Sequence, residues 1–212
     1  IQCRMLPLLL MASAGAAACA ADAVPDVLVL RSHTYTRIGT CGGLPVYRTP
    51  VTDSTFLDRA VADRPLILVT AESVEPTAAD DGWPAPRGNL YLSFPFPGDA
   101  AQARSAIEAV LAAWQVAHAP DVALTVGWDG DYGAHREAGG RFVSGLALMP
   151  HGDATQIGLD LHLNATPALY DVLGAADDHV SLATLTGQQY DLDAALWWVL
   201  DALHRHASPS PE

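Results

Sequence analysis

The chain has 212 residues, 24 of them acidic against 11 basic, and is 50% hydrophobic with only 17% charged residues. That composition belongs to a globular domain, and a formal charge of −13 works against nucleic acid and anionic membrane surfaces, whose phosphates are held mainly by Lys and Arg. All 11 basic residues are arginine, so any mechanism that draws a Schiff base, a P-loop ammonium or a lysine point charge from this chain is excluded.

Residues 1–23 read as a signal peptide. Arg4 precedes an uncharged stretch from Met5 to Ala21 that starts Leu-rich (Leu6, Leu8, Leu9, Leu10) and ends in small residues before Asp22. Cleavage after Ala20 or after Ala23 gives an exported protein, periplasmic or secreted, with no membrane span after processing. Lipid attachment at Cys19 is a lesser alternative, and a leader that is only an upstream extension would leave the protein cytoplasmic. The same stretch also suits a buried helix or a membrane anchor, although Pro7 and the many alanines make a poor span. Without the leader, Cys41 is the one remaining cysteine and no internal disulfide forms. Within Thr40-Cys41-Gly42-Gly43 it reads as a turn residue more than a nucleophile, for no basic neighbour is there to lower its pKa.

Residues 24–44 form an N-terminal extension with a strand from Asp26 to Arg31, and a second strand, Leu44 to Arg48, opens the main domain at 45–207. Asp53 caps a helix to about Ala62, and Leu66 to Thr70 is an apolar strand. Asn89 to Phe96 alternates, with Leu90, Leu92, Phe94 and Phe96 on one face and Tyr91 and Ser93 on the other, which describes a half-buried strand. From Asp99 to Ala117 the spacing of Ile107, Val110, Leu111 and Trp114 predicts an amphipathic helix. Strands follow at Ala123 to Val126, Arg141 to Leu148 and Thr155 to Leu163. A last helix from about Asp191 carries Leu192, Leu196, Val199, Leu200 and Leu203 on one stripe, with His204, Arg205 and His206 at its negative end. Residues 208–212 are a disordered tail.

Seven strings stand along this order of elements: Val51-Thr52-Asp53-Ser54-Thr55, Val69-Thr70-Ala71-Glu72-Ser73, Gly88-Asn89-Leu90-Tyr91-Leu92-Ser93, Val126-Gly127-Trp128-Asp129-Gly130-Asp131, Arg141-Phe142-Val143-Ser144-Gly145-Leu146, Gly158-Leu159-Asp160-Leu161-His162-Leu163-Asn164, and Val180-Ser181-Leu182 with Leu185-Thr186-Gly187. In sequence and order they resemble the catalytic domain of the biotin protein ligases, a family shared with lipoate ligases, over about residues 45 to 207. The resemblance implies an α/β fold of the α+β type, a mixed, largely antiparallel sheet with flanking helices. It also implies biotin and ATP as ligands, formation of biotinyl-adenylate and transfer of biotin to a carrier-protein lysine. Carried over residue by residue, it implies a substrate-binding set of Ser54, Thr55, Trp83, Asn89, Trp128, Asp131 and Gly145.

The chemistry of that family is not matched. An acyl-adenylate site needs positive charge and backbone N–H groups around a phosphate. The loop that supplies them in the family reads Val74-Glu75-Pro76-Thr77-Ala78-Ala79-Asp80-Asp81-Gly82-Trp83-Pro84 here, with no Arg and three acids. The family's Lys-Trp-Pro-Asn-Asp keeps only Trp128 and Asp131, its essential lysine aligns with Phe142, and its biotin-contacting Gln aligns with Val74. Arg141 is the one possible catalytic substitute, and a guanidinium does not replace an ammonium as a point charge.

Several of these residues also have bland explanations. Ser54 and Thr55 follow Asp53 where hydroxyls cap helix N–H groups, and Trp83 and Trp128 can be core fillers. Asp129, Asp131 and His135 lack the oxygen count of a Ca²⁺ loop, no His pair has zincin spacing, and Ser144 is in no nucleophile elbow, so no metal site and no Ser-His-Asp hydrolase is expected. Asn164-Ala165-Thr166 is a formal glycosylation sequon. The expected function is a ligase-like domain that has lost adenylate-forming activity and keeps a small-molecule pocket; biotin and ATP are cofactors only if the family activity is retained. The alternatives are an active ligase with rearranged residues and a ligand-free structural or interaction domain.

Overall fold

A computed structural model describes residues 24–30, 33–49, 65–70, 88–121, 126–128, 144–172 and 179–208. Among them, β1 (Val27–Leu30), β2 (His33–Cys41), β3 (Leu44–Arg48), β4 (Ile67–Thr70), β5 (Leu90–Phe96), β6 (Val126–Trp128), β7 (Ser144–His151) and β8 (Ala154–Leu161) form one sheet in the order β1-β2-β3-β4-β5-β8-β7-β6. The pairs β3–β4 and β6–β7 are parallel and the other five antiparallel. The mixed, largely antiparallel sheet expected from the sequence is therefore the one observed, and β1 and β2 lengthen it at one edge.

Helix α1 (Ala100–His118) starts in a capping box. The Asp99 carboxylate accepts from the Gln102 N–H at 2.8 Å, and the Asp99 N–H donates to Gln102 Oε1 at 3.0 Å. Two short helices, α2 (Pro167–Val172) and α3 (Leu182–Thr186), precede α4 (Leu192–Ala207). The Asp191 carboxylate caps α4 by accepting from the N–H groups of Asp193 and Ala194. Both long helices lie on one face of the sheet. Ile107, Val110, Leu111 and Trp114 of α1 and Leu196, Val199, Leu200 and Leu203 of α4 pack with Val46, Ile67, Val69, Leu90, Leu92, Phe94, Leu146, Ile157, Leu159 and Leu161 in a single core.

The β2–β3 hairpin turns on Gly42 and Gly43, both with positive φ (57° and 81°), as a two-residue turn demands. The turn sits against α4 so closely that a Cβ on Gly42 would collide with the His204 ring. One strand expectation changes. The β5 strand is not half-buried, because Ser93 on its second face is fully enclosed. That face carries a smaller cluster of Tyr35, Tyr47, Leu66 and Leu68, with Tyr91 packed against it. Strand β6 runs to Trp128, beyond the expected end at Val126, and β8 stops at Leu161, short of Leu163. The helix expected from Asp53 to Ala62 lies outside the described residues.

Candidate functional site

The sheet face turned away from α1 and α4 follows from strand alternation, which sends successive side chains to opposite sides. Transverse pairing places Tyr91 beside Asp160 and Asp160 beside Gly145, and one step along it places Ser93 beside Gly158 and Gly158 beside Ala147. Small residues on β7 and β8 thus leave the Asp160 side chain standing on a low part of this face. Gln156 Nε2 donates to Ser93 Oγ at 2.6 Å, closing the polar row beyond it.

Asp160 and His162 are two apart on the same strand path and so share a side. His162 Nε2 donates to Asp160 Oδ2 at 2.9 Å, since a carboxylate can only accept. The imidazole is 2% exposed and the carboxylate 28%. Asp160 Oδ1 is buried without a hydrogen-bond partner. The His162 ring lies 5.7 Å from Tyr170 of α2 and 4.9 Å from His179, and Tyr170 stacks on His179 at 6.0 Å. Asn89, just before β5, donates from Nδ2 to the Tyr170 hydroxyl at 3.4 Å, while its Oδ1 has no partner. Tyr91 stands directly across the β5–β8 ladder from Asp160. Burial, first, and the Asp160 charge push the Tyr91 hydroxyl pKa well above its ordinary value. Burial and Asp160 raise that of Tyr170 too, against the lowering effect of the Asn89 hydrogen bond. Both phenols are therefore neutral donors at neutral pH.

The arrangement joins two of the residues expected from the sequence. Asn89 is in the cluster and Gly145 forms its floor next to Asp160. The backbone of Trp128 ends β6 opposite Leu146. Ser54, Thr55, Trp83, Asp131 and Arg141 lie outside the described residues. Tyr91, Asp160, His162, Tyr170 and His179 were not singled out by sequence. A signal existed: in Leu159-Asp160-Leu161-His162-Leu163, apolar residues alternate with two ionisable ones, which places both polar groups on one side of a strand. Cys41 is no nucleophile. Its thiol donates to the Leu200 carbonyl at 3.4 Å, and burial followed by the Asp201 charge raises its pKa. Among the described residues no group of three His, Cys, Asp or Glu is arranged to hold a metal ion.

Comparison with solved structures finds a biotin protein ligase point mutant from Aquifex aeolicus in complex with biotin, with TM-score 0.51 and 16% identity over 76% of this chain and 69% of that one. The fold is that of the biotin protein ligases. The Aquifex aeolicus enzyme in complex with biotin and ATP gives TM-score 0.49 and 16% identity, over 73% of this chain and 66% of that one. The Leishmania major biotin protein ligase with biotin gives 0.37 and 13%, over 68% and 65%. No protein-family model matches the chain, and no curated protein does. At such identity the likeness shows the fold and carries nothing of the chemistry.

Proposed function

We infer that this chain is a biotin/lipoate ligase-like domain that has lost adenylate formation and keeps a small-molecule pocket on the sheet face opposite its long helices. The observation that carries this reading is the charge of that face. The described polar groups around Asp160 on β5 and β8 and next to them are Asn89, Tyr91, Ser93, Gln156 and His162, so a carboxylate is at their centre. By register Arg37 shares the face beside Tyr47, but four strand spacings separate it from Asp160, about 19 Å. Arg48 pairs with Asp193 on the helix side instead. An adenylate-forming site must stabilise charge developing on phosphoryl oxygens, and removing even one preorganised donor costs about 3 kcal/mol in a transition state. The absence of lysine from the sequence and the acids Glu75, Asp80 and Asp81 support the same conclusion.

The test is ATP–pyrophosphate exchange dependent on biotin or lipoate. The expected result is no exchange above background. Exchange in the wild type that disappears in Arg141→Ala would overturn the reading and make Arg141 the replacement for the lost lysine. Residues 1–23 support export as part of this proposal, and export would also separate the domain from ATP. N-terminal sequencing of exported material should begin between Ala21 and Val24; an intact Met5 on soluble cytosolic protein would contradict it. Among the described residues no helix is long and apolar enough to cross a membrane.

A further inference from the structure

We propose that the Asp160 cluster is a subsite for a small organic cation, a primary ammonium or guanidinium group, and not for a carboxylate-bearing ligand. The proposal rests on the pocket inferred above and names the chemistry of its ligand.

The argument is a count of donors and acceptors. Asp160 Oδ2 is held by His162, while Oδ1 has no partner although the carboxylate as a whole remains 28% exposed. Asn89, almost wholly buried, uses its amide N–H on Tyr170 and leaves its Oδ1 without a partner. Tyr91 lies beside Asp160 across the β5–β8 ladder. Two acceptors thus stand unfilled around one phenol, and a buried acceptor left unfilled is unfavourable, so the group that completes the cluster must donate several hydrogen bonds. A carboxylic acid anion brings more acceptors and a like charge. An ammonium brings three donors and a guanidinium five, each with an opposite charge.

Two further features fit a cation. Tyr91, half-buried beside Asp160, offers a phenol ring, whose face attracts positive charge. His162 is buried beneath the carboxylate and fixes its orientation, so the acceptor is held in place before a ligand arrives. Gly145 and Gly158, next to Asp160 on the same face, keep side chains from crowding it. The net charge of −13 raises the local concentration of cations in addition.

Binding of benzylamine and of agmatine to the full chain, followed by calorimetry and by thermal shift, tests this against butyrate, biotin and lipoate. Both amines should bind saturably and raise the melting temperature, and butyrate should not. Asp160→Asn should weaken the amines at least tenfold, and Tyr170→Phe a few-fold with the fold intact. Asp153→Asn, an exposed acid in the β7–β8 turn, should leave affinity unchanged. Equal loss in Asp160→Asn and Asp153→Asn would mean diffuse attraction to an acidic protein and would overturn the proposal. Stabilisation by biotin or lipoate with none by the amines would overturn it as well, while leaving the ligase-like pocket in place. Pyrophosphate exchange, measured separately, decides the loss of ligase activity whatever the amines do.

Discussion

At the scale of single residues, the tyrosines of the cluster make the protein sensitive to alkali. Tyr91 and Tyr170 are held neutral by burial and by Asp160, so their folded pKa values lie above those of the unfolded chain. Below about pH 10 both states keep these protons and the stabilisation is fully present. As pH rises further, the unfolded chain releases protons that the native state retains, and stability falls. Urea denaturation at stepped pH should show a decline beginning near pH 10, and a shallower one in Tyr170→Phe. An unchanged slope in that variant would remove Tyr170 from the coupled group. The residues behind this behaviour were only partly legible in the sequence. Asn89 and Gly145 came from family resemblance, whereas Tyr170 and His179 reach the site through α2 and the segment after it, and no local pattern announces a contact between distant segments.

Among the elements, the long helices were readable because their apolar spacing and caps agree. The four residues expected to face the core from α1, Ile107, Val110, Leu111 and Trp114, are all buried. Strand β2 was missed although Thr34, Tyr35, Thr36 and Ile38 favour strands and Gly42-Gly43 is a hairpin signal, because the alternation breaks between Arg37 and Gly39, where the pairing with β3 shifts register. Helix α3 was missed for its length, despite a Ser181 cap and a left-handed Gly187 at its end. Trp114 anchors α1, 1% exposed, with ring contacts to His118 at 4.9 Å and Tyr190 at 5.5 Å, and its Nε1 has no hydrogen-bond partner. Trp114→Ala should cost about 3–5 kcal/mol through the cavity it leaves. Trp114→Phe keeps a ring and removes the unpartnered donor, so it should cost under about 1.5 kcal/mol. Equal losses in chemical denaturation of the two variants would show that the indole N–H, and not the ring, matters.

For the whole molecule, strand existence and sheet class were legible, whereas strand order was not, since alternation says which side a residue faces and nothing of its neighbour. That order has a kinetic consequence. The central β5–β8 ladder joins residues 59 to 71 positions apart, from Phe96 with Thr155 to Leu90 with Leu161, while the β2–β3 and β7–β8 hairpins close over two residues. Long loops close at an entropic cost before their contacts reward it, so the hairpins and α1 form early and the central ladder is the late, rate-limiting event. In stopped-flow refolding, Leu92→Ala on β5 should slow folding, and Leu28→Ala on edge strand β1 should mainly speed unfolding. Until the ladder closes, the two halves of the sheet expose unpaired inner edges, and crowding at that stage favours pairing between chains over pairing within one.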